Sequence, residues 1–210
     1  MSIERGAISI GILAGGRSRR MGADKALLTV DGETMLERAV TIALGTGLPV
    51  AVSGRDAPET WTRPSIPFIH DLVPFTGPLH GIVRLLEHFR SPLLAFGCDM
   101  PLMTPEALAW LIEEAGRRSG GEGVAVLDGT GVIQPLFSIY TPAILARSDL
   151  AAVERSADPP PSARAVIETG RFERITIPEE LEAALRSVDT PADCDLLRGG
   201  SASNRSASSI

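Results

Sequence analysis

Cysteine is almost missing from this chain. Cys98 and Cys194 are the only two among 210 residues, too few for a disulfide framework or a thiolate zinc site. Histidine is scarce as well: His70, His80 and His88 do not fall at metal-ligand spacing, and no nucleophile triad is visible. There is no excess of basic residues. The formal net charge of −6 argues against a nucleic-acid-binding surface, which needs a basic face. No apolar run approaches the length of a membrane span, and the first ten residues lack the apolar core of a secretory signal, so a reducing cytoplasm is expected. Internal repeats are absent. So are the two commonest nucleotide fingerprints, since no GxGxxG occurs and the spacing and sequel of Gly16 and Gly22 do not make a P-loop.

What remains is an intracellular-enzyme composition, 44% hydrophobic and 22% charged, sufficient for one sizeable core. Strand-like apolar runs at residues 7–13, 48–52, 67–70, 93–96, 123–127 and 132–140 alternate with helical patterns. Met35, Leu36, Ala39, Val40 and Ala43 make one apolar face, and Leu79, Ile82, Val83, Leu86 and Phe89 a second. Leu108, Leu111, Ile112 and Ala115 make a third, with Thr104 as its cap and Pro105 at its first position. The alternation predicts an α/β fold of three layers, a mostly parallel sheet with helices on both faces, in which ligands bind beyond the carboxyl ends of the strands. After residue 141 the pattern weakens to two short helices, 163–168 and 179–185, around a strand at 172–177. The Ser-, Gly- and Ala-rich stretch 199–210 is expected to be disordered.

The most informative stretch is LAGGRSRRMGADKALL, residues 13–28, directly after the first apolar run. Small residues at the end of a buried strand let backbone N–H groups approach an anion closely. Arg17, Arg19, Arg20 and Lys25 add charge and directed hydrogen bonds suited to phosphate oxygens. An ordinary turn needs one glycine rather than Gly15, Gly16 and Gly22 interleaved with cations. A second candidate is Asp99, which follows the apolar run 93–96 and precedes Met100 and Pro101. A carboxylate at a strand end beside a phosphate loop suits Mg²⁺, which takes one or two carboxylates plus phosphate oxygens and water. Cys98 beside it reads as a small buried hydrophobe.

The string LAGG-x-S-x-R-M-G-x-D-K-A-L resembles the signature of the MobA-like nucleotidyltransferases, the molybdenum cofactor guanylyltransferases, within the wider class that makes nucleotide-sugars and related diphosphates. CDMP at 98–101, GPLHG at 77–81 and VDTPADCDLL at 188–197 extend the likeness over nearly the whole chain except the tail. The resemblance implies a Rossmann-like nucleotidyltransferase fold forming one domain over residues 1–198, its N-terminal part binding nucleotide and its C-terminal part the acceptor. It further implies that Leu13, Ala14, Gly15, Gly16, Lys25, Ser53, Asp71 and Asp99 bind the nucleotide and that Asp99 holds Mg²⁺. Ser53 stands where many members carry Asn, and Gln134-Pro135 is placed like a polar-Pro pair on the pterin side.

By the same resemblance the substrates are GTP and molybdenum-loaded molybdopterin, and LAGG together with GPLHG favours guanine over cytosine. His80 stands where a smaller residue is more usual. Arg20, Lys25 and Asp99 are then the catalytic set, acting by charge neutralisation, and transient contact with molybdoenzymes or their chaperones is expected. Three alternatives stay open at this level: CMP transfer to molybdopterin, nucleotidyl transfer to a sugar phosphate, and a non-catalytic cofactor-delivery protein.

Overall fold

The computed structural model describes residues 3–15, 24–30, 32–70, 77–118, 121–151, 161–188 and 193. Along the chain run β1 (Ser9–Leu13), β2 (Thr29–Val30), β3 (Glu33–Thr34), α1 (Met35–Leu44), β4 (Val50–Ser53), β5 (Phe68–Ile69) and α2 (Pro78–Phe89). There follow β6 (Leu93–Gly97), α3 (Pro105–Gly116), β7 (Gly123–Leu127), β8 (Ile133–Tyr140), α4 (Ser148–Ala151), α5 (Ala163–Thr169) and β9 (Phe172–Thr176). Seven strands make one sheet in the order β5-β4-β1-β6-β8-β7-β9, while β2 and β3 pair separately.

β1 is at the centre because it is apolar on both faces: all five residues are buried, as in parallel strands covered by helices. It pairs in parallel with β4 on one side and β6 on the other. Ile10, Ile12, Leu94 and Phe96 enter a core with Leu36, Val40, Leu108 and Leu111 of α1 and α3. Ala51, Leu93 and Ala95 enter the opposite core with Ile82 and Leu86 of α2 and Val166 and Ile167 of α5. These are the expected three layers. Gly11 is what lets α2 close on the sheet, since a Cβ there would stand 2.6 Å from Leu85 Cδ1.

The helix starts follow from capping. Thr104 Oγ1 accepts from Ala107 N at 3.2 Å with Pro105 in the first turn of α3, as the sequence suggests. In α1, Thr34 and Glu37 form a capping box, with Thr34 Oγ1 accepting from Glu37 N and Glu37 Oε2 accepting from Thr34 N at 3.0 Å.

One strand runs against the rest. β8 is antiparallel to both β6 and β7, because the short stretch between β7 and β8 is a hairpin turn and cannot hold the crossover that a parallel pair requires. Asp128 builds this turn: its Oδ1 accepts from Thr130 N at 2.9 Å and Val132 N at 3.0 Å, and Gly131 adopts φ 83°. The expected helix at 179–185 is a 3₁₀ helix, Glu179–Leu185, in which Pro178 offers no capping side chain and Ala184 alone is buried. The β2–β3 ribbon and α4 have no counterpart in the sequence pattern, as each is too short to carry a periodicity. The stretch 199–210 lies outside the described residues. Among those described, no helix is long and apolar enough to cross a membrane.

Hydrogen bonds from the Thr34 hydroxyl and amide hold the Glu37 carboxyl below the usual glutamate range. A depressed folded-state pKa contributes stability that is present above the unfolded value and lost as pH falls through the folded one. Thr34→Ala is therefore expected to cost about 1 kcal/mol near neutral pH. The gap from the parent should narrow as pH falls below the ordinary glutamate range, as read by thermal unfolding on acidification.

Candidate functional site

The carboxyl ends of β1 and β6 open into a cleft of about 170 Å³ lined by Leu13, Ala14, Gly15, Asp24, Lys25, Ala26, Pro78, Cys98, Asp99 and Leu136. Three expected nucleotide-loop residues (Leu13, Ala14, Gly15), Lys25 and Asp99 thus meet in one place. Gly16, Arg20 and Asp71 lie outside the described residues.

The floor of the cleft is the exit of β1, held from both sides. Cys98 N donates to Leu13 O at 3.0 Å and Ala14 N donates to Ser53 O at 2.9 Å, so the ladders continue past the strand ends. Gly15 then crosses Gly54 with backbone against backbone. A Cβ on Gly54, whose φ is 92°, would stand 2.5 Å from Gly15 Cα and N. Both positions must be glycine for the two loops to touch. The Ser53 side chain is fully buried, and a Cβ on Gly81 would stand 3.1 Å from its Oγ. Ser53 therefore meets the loop through its carbonyl, and its hydroxyl lies under α2.

The GPLHG motif resolves into separate jobs. Gly77 takes φ 96° at the N-cap of α2, Pro78 occupies the first turn and lines the cleft, and Gly81 allows contact with Leu13 and Ser53. His80 is buried and is not among the residues lining the cleft.

Lys25 opens a 3₁₀ turn, Lys25–Leu27, capped by Asp24, whose Oδ1 accepts from Ala26 N at 3.1 Å. The loop holding Asp99 is secured from two directions. Val188 N donates to Asp99 O at 2.8 Å, and Arg38 Nε of α1 donates to Pro101 O at 2.8 Å. Val188 itself packs with Val30 and Met35, so one small cluster supports both the ribbon behind Lys25 and the Asp99 loop. The Asp99 carboxylate occupies the space that a side chain at Gly97 would fill. Sequence reasoning missed Arg38, Gly97 and Val188 as supports, and their neighbours in the chain carry no signal of these contacts.

Among the described residues, the cleft combines the Leu13–Gly15 backbone with the Lys25 ammonium and the carboxylates of Asp24 and Asp99. Burial, and then the negative charge of Asp99, push the Cys98 thiol up beyond its usual range, so it stays protonated and unsuited to nucleophilic attack. The half-buried Asp99 carboxylate, open to the cleft, fits a hard divalent cation shared with phosphate oxygens.

Farther along the same sheet edge is a second hollow of about 420 Å³, lined by Asp128, Gln134, Glu179, Glu182, Ala183, Leu185 and Arg186. The two hollows are linked by an irregularity in β8, which takes more residues than β7 to cover the same stretch. Ser138 Oγ donates to Gln134 O at 2.8 Å and Tyr140 Oη donates to Pro135 O at 2.9 Å. These bonds turn the strand so that Gln134 reaches one hollow and Leu136 the other.

The profile of the family described as "MobA-like NTP transferase domain" matches residues 10–174. A Pelotomaculum thermopropionicum protein named "Probable molybdenum cofactor guanylyltransferase" is 38% identical over 131 residues, a match covering 62% of each chain. A protein of the same name from Opitutus terrae is 30% identical over 203 residues, covering 93% of this chain and 96% of that one. The fold is shared with the crystal structure of "Molybdopterin-guanine dinucleotide biosynthesis protein A" from Archaeoglobus fulgidus, at TM-score 0.75 and 21% identity over 93% of this chain and 99% of that one.

Adding one methyl at Gly97 must displace the Asp99 carboxylate. Gly97→Ala is expected to weaken binding of a magnesium–nucleoside triphosphate by about tenfold or more, measured by titration calorimetry, with the circular dichroism spectrum retained. Unchanged affinity would show that this seat for the carboxylate is unnecessary.

Proposed function

Because the chain belongs to the MobA-like NTP transferase family, we propose that it is a single nucleotidyltransferase domain that transfers GMP from GTP to molybdenum-loaded molybdopterin. The products are the molybdopterin guanine dinucleotide cofactor and pyrophosphate. The observation that carries this reading is the convergence of the Leu13–Gly15 backbone, Lys25 and Asp99 on one cleft at the carboxyl end of the central strand.

A terminal phosphate oxygen of the acceptor is ionised at neutral pH and attacks the α-phosphorus of GTP. The bond from the α-phosphorus to its bridging oxygen breaks, and pyrophosphate leaves with that electron pair. No general base is required, consistent with a cleft whose lining contains no histidine and whose thiol is held protonated. Catalysis is then alignment and charge neutralisation. By family likeness Leu13, Ala14, Gly15 and Gly16 hold the nucleotide; the Ala14 amide donates to Ser53 O, so it is not among the donors to phosphate. Lys25 meets charge that grows on the leaving pyrophosphate, a role shared with Arg20 on the strength of the sequence motif. Asp99 is the residue that would hold Mg²⁺, which when bound supplies charge stabilisation between phosphates. Ser53 and Asp71 are assigned to the nucleotide by family likeness.

Gln134, on the wall of the second hollow, is assigned to the acceptor by family likeness. Recipient molybdoenzymes or their chaperones would make only transient contact.

Base choice is tested by competition. With molybdopterin, magnesium and equal GTP and CTP, the guanine dinucleotide is expected to dominate, because a site that hydrogen-bonds the guanine edge leaves buried groups unpaired with another base. A mainly cytosine product would replace guanylyl with cytidylyl transfer, and pyrophosphate release without any dinucleotide would point to another acceptor. Asp99→Ala is expected to abolish pyrophosphate release at saturating magnesium while the fold persists. Activity within a few-fold of the parent, at about 1 kcal/mol or less of lost transition-state stabilisation, would remove Asp99 from the metal site.

A further inference from the structure

Three consecutive residues at the exit of β4 hold the glycine-rich segment at both of its ends. At the near end, Ser53 O accepts from Ala14 N at 2.9 Å and Gly54 crosses Gly15. At the far end, Arg55 Nη1 donates to Asp24 Oδ2 at 2.8 Å, while Asp24 Oδ1 accepts from Ala26 N at 3.1 Å. The guanidinium is itself fixed, since Arg55 Nε donates to Asp56 O at 3.1 Å and the side chain is only 16% exposed.

An ion pair whose acid is 49% exposed contributes little to global stability, so its effect is local and geometric. The two oxygens of Asp24 act separately, Oδ2 orienting the carboxylate toward Arg55 and Oδ1 terminating the turn whose first residue is Lys25. We infer that Arg55 is a positioning residue that, acting through Asp24, sets the turn carrying Lys25 and thereby spaces Lys25 from the Leu13–Gly15 backbone across the phosphate-binding cleft. Two features of an arginine are used. Its fork bonds the Asp56 carbonyl and the Asp24 carboxylate at once, which a lysine cannot reproduce. Its place directly after Gly54 ties the far end of the segment to the same short stretch that ties the near end.

The consequence for turnover rests on the guanylyl-transfer reading; the positioning itself does not. The full chain without nucleotide is compared with Arg55→Ala, Asp24→Ala and the double variant by amide hydrogen exchange. Each single change is expected to raise exchange at the Ala26 amide by about tenfold, the double no further, with the strands of the large sheet unaffected. Magnesium–GTP affinity is expected to fall about tenfold in each single variant and in the double alike. Should Arg55→Ala not fold, Arg55→Lys carries the same comparison with a smaller effect. Unchanged exchange at Ala26 in Arg55→Ala would overturn the inference. So would affinity losses that add in the double variant, since Arg55 would then meet the nucleotide directly. If the parent binds no GTP, the functional reading fails while the exchange comparison still decides the role of Arg55.

Discussion

The contact between Gly15 and Gly54 is the constraint on which the rest of the site depends. Two loops leaving adjacent parallel strands would normally be separated by their side chains. Here neither has one, and a Cβ on either would fall within 3 Å of the other backbone. The β1 exit is therefore pinned between the β4 exit and the amide of Cys98. Backbone amides that must face an anion have to be fixed beforehand, because an unpaired amide that reorganises during the reaction stabilises less charge.

From this pinned floor the other groups are placed by contacts that cross between elements. Arg38 of α1 and Val188, well after β9, both bond the Asp99 loop, and Val188 shares a cluster with Val30 of the ribbon that follows Lys25 and Met35 at the start of α1. The cationic and carboxylate walls of the cleft are thus supported by one small apolar cluster. A carboxylate and an ammonium kept at fixed separation around a phosphate chain provide the alignment on which a reaction without a general base relies.

Motif and structure agree in some places for different reasons. The GPLHG glycines are legible as a helix start, yet Gly81 is required by helix-to-sheet packing against Leu13 and Ser53. Asp24 is visible in the sequence only as part of the loop signature. In the fold it caps the Lys25 turn and pairs with Arg55, a residue that has no motif of its own. Ser53, which family likeness makes a nucleotide contact, meets the loop through its backbone while its side chain is buried.

The sequence alone determined the alternation of buried strands with amphipathic helices, the cap and proline that start α3, and the chemistry of the glycine- and cation-rich loop, because each is written in residues a few positions apart. The short separation between β7 and β8 also dictates their antiparallel pairing. Tertiary structure alone decided that Asp99 fits into the space left by Gly97 beside β6, that Arg55 reaches Asp24 and that Val188 returns to the Asp99 loop. These are meetings of side chains and backbones whose approach depends on how the strands are ordered and how closely their loops cross, and neither quantity has a local periodicity from which it could be read.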